Sequence, residues 1–344
     1  DYLSESDNTI NGYVEELKKK AEPPKPKKSK VPLIILLFLL IIGLLAGGTY
    51  YMWYNNLWIF AENIPSLGVV NEAAQAQNEE KYYDFIAFQI KTGKVNVEEV
   101  SEFFPEDESK IIRRRAGLVD FSDSNLEAII RAKIDKATGL IFEEDINTIT
   151  NLSASNKNLT NLDGIQFMTG LTELDLSGNK ISNLGPIREL NNLTSLDLSS
   201  NHIVSLNEIA SLPNLKTLNL NYNYISDVTP LSSLTSLEAL SVGSNRVVDI
   251  SGIAALYSLS NLQMFENQIG DVTTISTLTG LTELNLSDND IADITGIGSL
   301  TGLTSLDLSG NSIEDIYPLA SLSQLRTINL YDNLISDSSA LNSL

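Results

Sequence analysis

Cysteine is absent from this 344-residue chain and histidine occurs once, at His202. Without thiols there are no disulfide staples, no thiolate zinc sites and no cysteine to carry a lipid, so stability has to come from packing. The lone histidine has no cysteine partner and lies in no nucleophile motif, and no catalytic centre is expected. Positive charge is also scarce: 23 Lys and Arg stand against 44 Asp and Glu, a net charge of −21. From residue 149 onward the balance is 20 acidic to 6 basic side chains. Such a surface repels a phosphate backbone, which argues against nucleic acid as a partner.

Long apolar runs are missing too, with one exception. Residues 33–53, LIILLFLLIIGLLAGGTYYMW, carry no charge and are long enough to cross a hydrocarbon core of about 30 Å. A single transmembrane helix is expected over 32–54. Lys18, Lys19, Lys20, Lys25, Lys27, Lys28 and Lys30 precede it and no Lys or Arg follows until Lys81, so the positive-inside bias places the tail 1–31 in the cytoplasm and the rest outside the cell. Those lysines can also hold anionic lipid. Tyr50, Tyr51, Trp53 and Tyr54 suit the outer interface. A cleaved signal peptide ending near Ala46, Gly47 and Gly48 is the alternative, and it exports the same residues.

Residues 55–120 read as a helical stalk. NEAAQAQNEEKYYDFIAFQI places Tyr82, Phe85, Ile86 and Ile90 at helical spacing, and VNVEEVSEFF forms a second helix that Pro105 ends. The stalk is a spacer or a site of dimerisation. Arg113, Arg114 and Arg115 form a solvated face beside acidic neighbours.

What is abundant is one repeat. Asn179, Asn201, Asn223, Asn245, Asn267, Asn289, Asn311 and Asn333 recur every 22 residues without an insertion, the signature of a solenoid. Nine units begin at Ile149, Leu171, Leu193, Leu215, Leu237, Leu259, Leu281, Leu303 and Leu325. In the second unit apolar residues stand at Leu171, Leu174, Leu176, Ile181, Leu184, Ile187 and Leu190. Later units keep these places apolar, apart from Ser338 in the last.

Leu174 and Leu176 alternate inward on a short strand while Glu173, Asp175 and Ser177 alternate outward. One strand per coil, stacked at about 4.8 Å, gives a parallel sheet about 40 Å long. Leu184, Ile187 and Leu190, three residues apart, predict tight 3-10 or irregular turns on the convex side that cover the sheet. Pro186, Pro230 and Pro318 are expected at the first position of those turns. An inward Asn amide satisfies the buried backbone of its own and the neighbouring coil. The Asn ladder is therefore scaffold.

Asp227, Asp249, Asp271, Asp293, Asp315 and Asp337 form a second 22-residue column. A calcium ladder needs six to eight oxygens, and each coil offers one carboxylate before a turn; capping of turn N–H groups is the simpler role. No metal or cofactor is assigned.

Binding surfaces are sought where exposed positions depart from Ser, Thr and Asp. Tyr222, Phe265 and Tyr331 stand on the strand face and its lip. Just past each Asn, successive coils present Lys180, His202, Tyr224, Arg246 and Gln268. Aromatic and Arg groups dominate protein interfaces, so His202, Tyr222, Tyr224, Arg246, Phe265 and Tyr331 are the candidate ligand-binding residues, on a lip spanning the third to sixth coils.

Units such as LTELDLSGNKISNLGPIREL and LTSLDLSGNSIEDIYPLASL resemble the leucine-rich repeat, in the 22-residue form of the internalin-like surface proteins of Gram-positive bacteria. The resemblance covers 149–344. FSDSNLEAIIRAKIDKATGLIFEEDINTI, from Phe121, resembles that family's helical N-terminal cap, here 121–148; its residues read as Asp123 or Ser124 capping an amphipathic helix with Leu126, Ile129, Ile130 and Ile134. The first coil departs from the pattern with Lys157 at the Asn place and Ala154 at a Leu place. The resemblance implies an α/β solenoid horseshoe that binds protein noncovalently at the cell surface, in adhesion or recognition; a structural or signalling role in the envelope is the alternative. Asp1 is not a start methionine and Leu344 ends a coil, so a fragment of a longer protein is expected.

Overall fold

The computed structural model describes residues 83, 84, 86–88, 90–93 and 106–344. The charged tail, the helix expected over 32–54 and the helix expected over 95–104 lie outside the described residues. Among the described residues no helix is long and apolar enough to cross a membrane.

Residues 83, 84, 86–88, 90 and 91 are helical. The next helix, α1 (Glu106–Arg115), begins directly after Pro105, so this proline precedes a described helix. The two segments bury Ala87, Ile90, Ile112, Ala116 and Leu118 together, with Leu140 and Phe142 packed against them. An antiparallel bridge joins Leu118 to Phe142. Two residues of the basic run are ion-paired, Arg113 to Asp120 at 2.5 Å and Arg115 to Asp84 at 2.6 Å. The helical residues ahead of 118 are thus docked on the segment that leads into the solenoid.

Helix α2 (Ser124–Lys133) is capped by Asp123, whose Oδ1 accepts from the Asn125 N–H at 2.9 Å. Its Oδ2 accepts from the Thr160 N–H at 2.8 Å, tying the helix start to the first coil. Leu126 and Ile130 are fully buried in the same core as Leu152 and Ala154. A short helix, α3 (Glu143–Ile146), adds Ile146 to that core.

Nine three-residue strands follow: β1 (Asn151–Ser153), β2 (Glu173–Asp175), β3 (Ser195–Asp197), β4 (Thr217–Asn219), β5 (Ala239–Ser241), β6 (Asn261–Gln263), β7 (Glu283–Asn285), β8 (Ser305–Asp307) and β9 (Thr327–Asn329). They form one parallel sheet in chain order. Leu174 pairs with Leu196, Leu196 with Leu218 and Leu218 with Leu240, the register advancing one repeat at a time. The middle residue of each strand is buried except Ile328 in β9, the last strand of the described sheet.

Each coil returns through a 3-10 turn, nine in all among the described residues. The prolines sit one position further in than the spacing predicts: Pro186, Pro230 and Pro318 are the second residues of turns Gly185–Glu189, Thr229–Ser233 and Tyr317–Ser321. The placement is tolerated for the expected reason, since no N–H of the first turn has an intrahelical acceptor. Asp227, Asp249, Asp271, Asp293, Asp315 and Asp337 each accept, at 2.8 Å, from the N–H two residues on. They cap the turns. The hydroxyl and N–H of Thr229 hold the Asp227 carboxyl below the usual range, and Thr295 does the same for Asp293.

The ladder fixes the corner between strand and turn. Asn201 donates from Nδ2 to the carbonyls of Leu176 (3.0 Å), Leu198 (3.0 Å) and Ser199 (3.1 Å), and its Oδ1 accepts from the Ile181 N–H at 3.0 Å. Asn223 repeats the pattern one coil on. Asn179 accepts from both Lys157 and Leu159 at 3.0 Å, satisfying the first coil, where Lys157 has no amide to offer.

Candidate functional site

The residue before the ladder place, which holds Lys157 in the first coil and Asn in the other eight, is left-handed in all nine coils, with φ between 51° and 66°. The chain must turn sharply there so that the next side chain points inward. An L-residue in this conformation costs about 1–2 kcal/mol, and Gly, Asn and Asp relieve it best. Gly178, Asn156, Asp288, Gly310 and Asp332 follow that rule; Tyr222, at φ 59°, is the bulkiest exception. The residue is 54% exposed, so burial does not compensate for its conformation. The turn itself is common to all nine coils, and Tyr222 alone places an aromatic ring on it.

Tyr222 is not isolated. Its ring meets that of Phe265, two coils on, edge to face with centroids 6.2 Å apart. Gly243 lies between them. A Cβ at Gly243 would stand 2.4 Å from Phe265 Cε1 and 2.5 Å from Cζ; the missing side chain lets the half-buried Phe265 ring lie back across the intervening coil. The column holding it reads Ser177, Ser199, Asn221, Gly243, Phe265, Ser287, Ser309 and Tyr331. The single Gly beside the single Phe is the signal that could have identified Gly243, which the sequence argument missed.

The second set stacks on the other side of the ladder. Each backbone N–H of His202, Tyr224 and Arg246 bonds to a carbonyl of the previous coil, Ile181 (2.9 Å), Ile203 (2.9 Å) and Ile225 (2.8 Å). The side chains are therefore held one strand spacing apart. His202 and Tyr224 rings lie 6.0 Å apart, tilted by 35°, and the Arg246 guanidinium sits 5.0 Å from the Tyr224 ring centre, within cation–π range. Two outward residues later in their coils, Val204 and Val248 are 60% and 57% exposed. These also escaped notice; their column otherwise holds Ser182, Ser226, Gly270, Ala292, Glu314 and Ser336.

Five of the six predicted residues fall into these two groups: Tyr222 with Phe265, and His202 with Tyr224 and Arg246. Tyr331, 80% exposed in the last coil, makes no ring contact with the others and stands apart. Among the described residues no group of three or more His, Cys, Asp or Glu could hold a metal ion. Rings, a cation and exposed valines on a rigid backbone are suited to contact with another surface.

Two family models match the chain. One, described as leucine-rich repeats in two copies, matches residues 191–233, 279–321 and 301–343; the other, described as a leucine-rich repeat, matches 147–203. Among solved structures, internalin C2 from Listeria monocytogenes is 36% identical, with a TM-score of 0.60, over 61% of this chain and 94% of that one. A leucine-rich repeat protein of Leptospira interrogans is 30% identical, with a TM-score of 0.53, over 56% of this chain and 51% of that one. The functional domain of InlJ from Listeria monocytogenes, which includes a cysteine ladder, is 27% identical with a TM-score of 0.52, over 65% of this chain and 54% of that one. No curated protein matches. The InlJ domain has cysteines in a ladder; the repeats of this chain carry Asn179 and its successors in theirs, with no cysteine anywhere.

Proposed function

This chain belongs to the internalin-like leucine-rich repeat proteins, and from that premise we propose that it is a membrane-anchored surface protein whose repeats recognise a protein ligand noncovalently. The observation that carries the proposal is the grouping of departures from a regular scaffold. Tyr222 and Phe265 form one contact pair, and His202, Tyr224 and Arg246 form one stack. All belong to the third to sixth coils.

Anchoring rests on the uncharged run 33–53 and on the lysines that precede it. In this arrangement the tail lies inside the cell, one helix over 32–54 crosses the membrane, and the repeats face outward for adhesion or recognition. Protease added outside intact cells then removes the repeats and spares the lysine-rich tail. The reverse pattern sinks the orientation.

Recognition is tested with residues 80–344, which form one compact unit of the chain, fluorescently labelled and applied to intact cells before and after protease shaving of their surface. Saturable binding that shaving removes is the expected outcome. Absence of binding would instead favour a structural or signalling component of the envelope, with the repeats as its scaffold.

A further inference from the structure

The six-residue windows around the ladder in the second to fifth coils are 177–182, 199–204, 221–226 and 243–248. They contain Lys180, His202 and Arg246 and not one Asp or Glu. This is notable in a repeat region with 20 acidic and 6 basic side chains. Neither Lys180 nor Arg246 has a carboxylate partner among the described residues, whereas Arg188 and Lys216, on the same coils, are paired with Glu189 and Glu238. The carboxylates that flank the windows are held by local hydrogen bonds and point to no cation. Asp175 and Asp197 accept from the N–H and hydroxyl groups of Ser177 and Ser199. Asp227 and Asp249 accept from Thr229 and Ser251. Beyond the fifth coil the corresponding windows turn acidic, with Glu266 in the sixth and Asp288 and Asp290 in the seventh, and Glu266 accepts from the Ser244 hydroxyl at the edge of the strip.

Resting on the protein-recognition reading above, we infer that this strip docks an extended acidic segment of the partner, with carboxylates at positions i and i+4 and an apolar residue at i+2. Lys180 and Arg246 are three coils apart, about 14 Å at the spacing of paired strands, and residues i and i+4 of an extended chain are about 13.5 Å apart on one face. One carboxylate then reaches Arg246, whose guanidinium the Tyr224 ring already orients. The other reaches Lys180. The i+2 side chain falls between the His202 and Tyr224 rings, with Val204 and Val248 exposed alongside. The remote negative charge of the arc does not prevent this, because charges beyond a Debye length of about 8 Å are largely screened at physiological salt while the adjacent cations are not.

His202 is the single histidine, so its ring resonances report on the centre of the strip without ambiguity. The full chain, labelled at histidine with carbon-13 and held in detergent micelles, is titrated with a peptide containing Glu-Ser-Leu-Ser-Glu and with its Gln-Ser-Leu-Ser-Gln and Lys-Ser-Leu-Ser-Lys counterparts. The acidic peptide is expected to shift the His202 resonances saturably, with at least tenfold higher affinity than the Gln peptide. Arg246→Gln and Lys180→Gln, both at exposed positions, each lower that affinity at least fivefold. An equal response to the Gln or Lys peptide overturns the inference. So does a response to a sulfated oligosaccharide without one to the acidic peptide, which assigns the strip to anionic glycan. If cell binding by the unit 80–344 persists while the acidic peptide fails, the chemistry assigned to the partner is wrong and the recognition reading stands. If the peptide binds the strip but the unit binds no cells, the recognition reading is the one that fails.

Discussion

Adding one methyl group at Gly243 rearranges the aromatic pair without removing either ring. The φ of Gly243 is not left-handed, so alanine is conformationally acceptable there, and loss of glycine's freedom in the unfolded chain stabilises by about 0.4–1 kcal/mol. Against this, the new Cβ would stand 2.4 Å from Phe265 Cε1, and the ring has to swing outward by about 1 Å to restore ordinary contact. Overpacking costs about 1–3 kcal/mol, and the low end applies because the atoms met are the outer edge of a partly exposed ring. The edge-to-face contact with Tyr222 is lost as well, about 0.5–1.5 kcal/mol. Gly243→Ala should therefore destabilise the wild-type chain by about 1 kcal/mol. With Phe265 already replaced by Ala the obstacle is gone, and the same change should stabilise by about 0.4–1 kcal/mol. The assay is a double-mutant cycle by urea denaturation of the unit 80–344, with an expected coupling of about 1–2 kcal/mol. Equal effects of Gly243→Ala in the two backgrounds would show that Phe265 does not lie over Gly243.

Three further expectations follow from the same contacts. Tyr222→Gly relieves the left-handed strain that Tyr222→Ala retains, so the Gly variant should be the more stable by about 0.5–1 kcal/mol in urea melts although both lose the ring; an Ala variant of equal or greater stability would disprove the strain. Asn223→Ala leaves the buried carbonyls of Leu198 and Leu220 and the N–H of Ile203 without their amide, an expected loss of about 1–3 kcal/mol, whereas Asn333→Ala in the more exposed last coil should cost less. Burial pushes the Asp123 carboxyl up, but the N–H groups of Thr160, Asn125, Asn161 and Leu126 together outweigh it and hold the pKa below the ordinary aspartate value. Stability from this group is thus fully present above the unfolded pKa and lost as pH falls through the lower folded one; the difference between melts of wild type and Asp123→Asn should hold near neutral pH and shrink as acid protonates the carboxyl, and a constant difference would rule out the linkage.

The 22-residue register made nearly every inward position legible, because Leu174, Leu176, Ile181 and their successors repeat what one coil needs from the next. The Asn ladder and the Asp column were legible for the same reason: a buried corner and a turn start each leave backbone groups that one short polar side chain can satisfy. Other features depend on backbone angles or on contacts across coils. The left-handed place holds Gly, Asn, Asp, Ser, Glu and Tyr, a mixture that hides a uniform φ. Phe265 reaches Tyr222 by crossing Gly243, and no periodicity along one coil shows which residue lies over the next. The second-position prolines differ from expectation by one residue, because the first N–H of the turn is taken by the capping side chain while the second has no acceptor within the turn. The packing of the described helical residues ahead of 92 and of α1 against Leu140 and Phe142 joins segments more than twenty residues apart and has no repeat to announce it.

The central claim is that recognition centres on the departures from the regular repeat in the third to sixth coils. It is tested by replacing Tyr224, Arg246 and Phe265 together with Ala in the unit 80–344, beside a control in which Asp290, Ser309 and Ser312 of the seventh and eighth coils are replaced. Both proteins are checked for folding by their urea transitions and then measured for saturable binding to intact cells. The first should lose binding by at least a hundredfold while the control keeps it. Undiminished binding by a folded first variant, or equal loss in both, would mean that the departures on the lip are not the recognition surface.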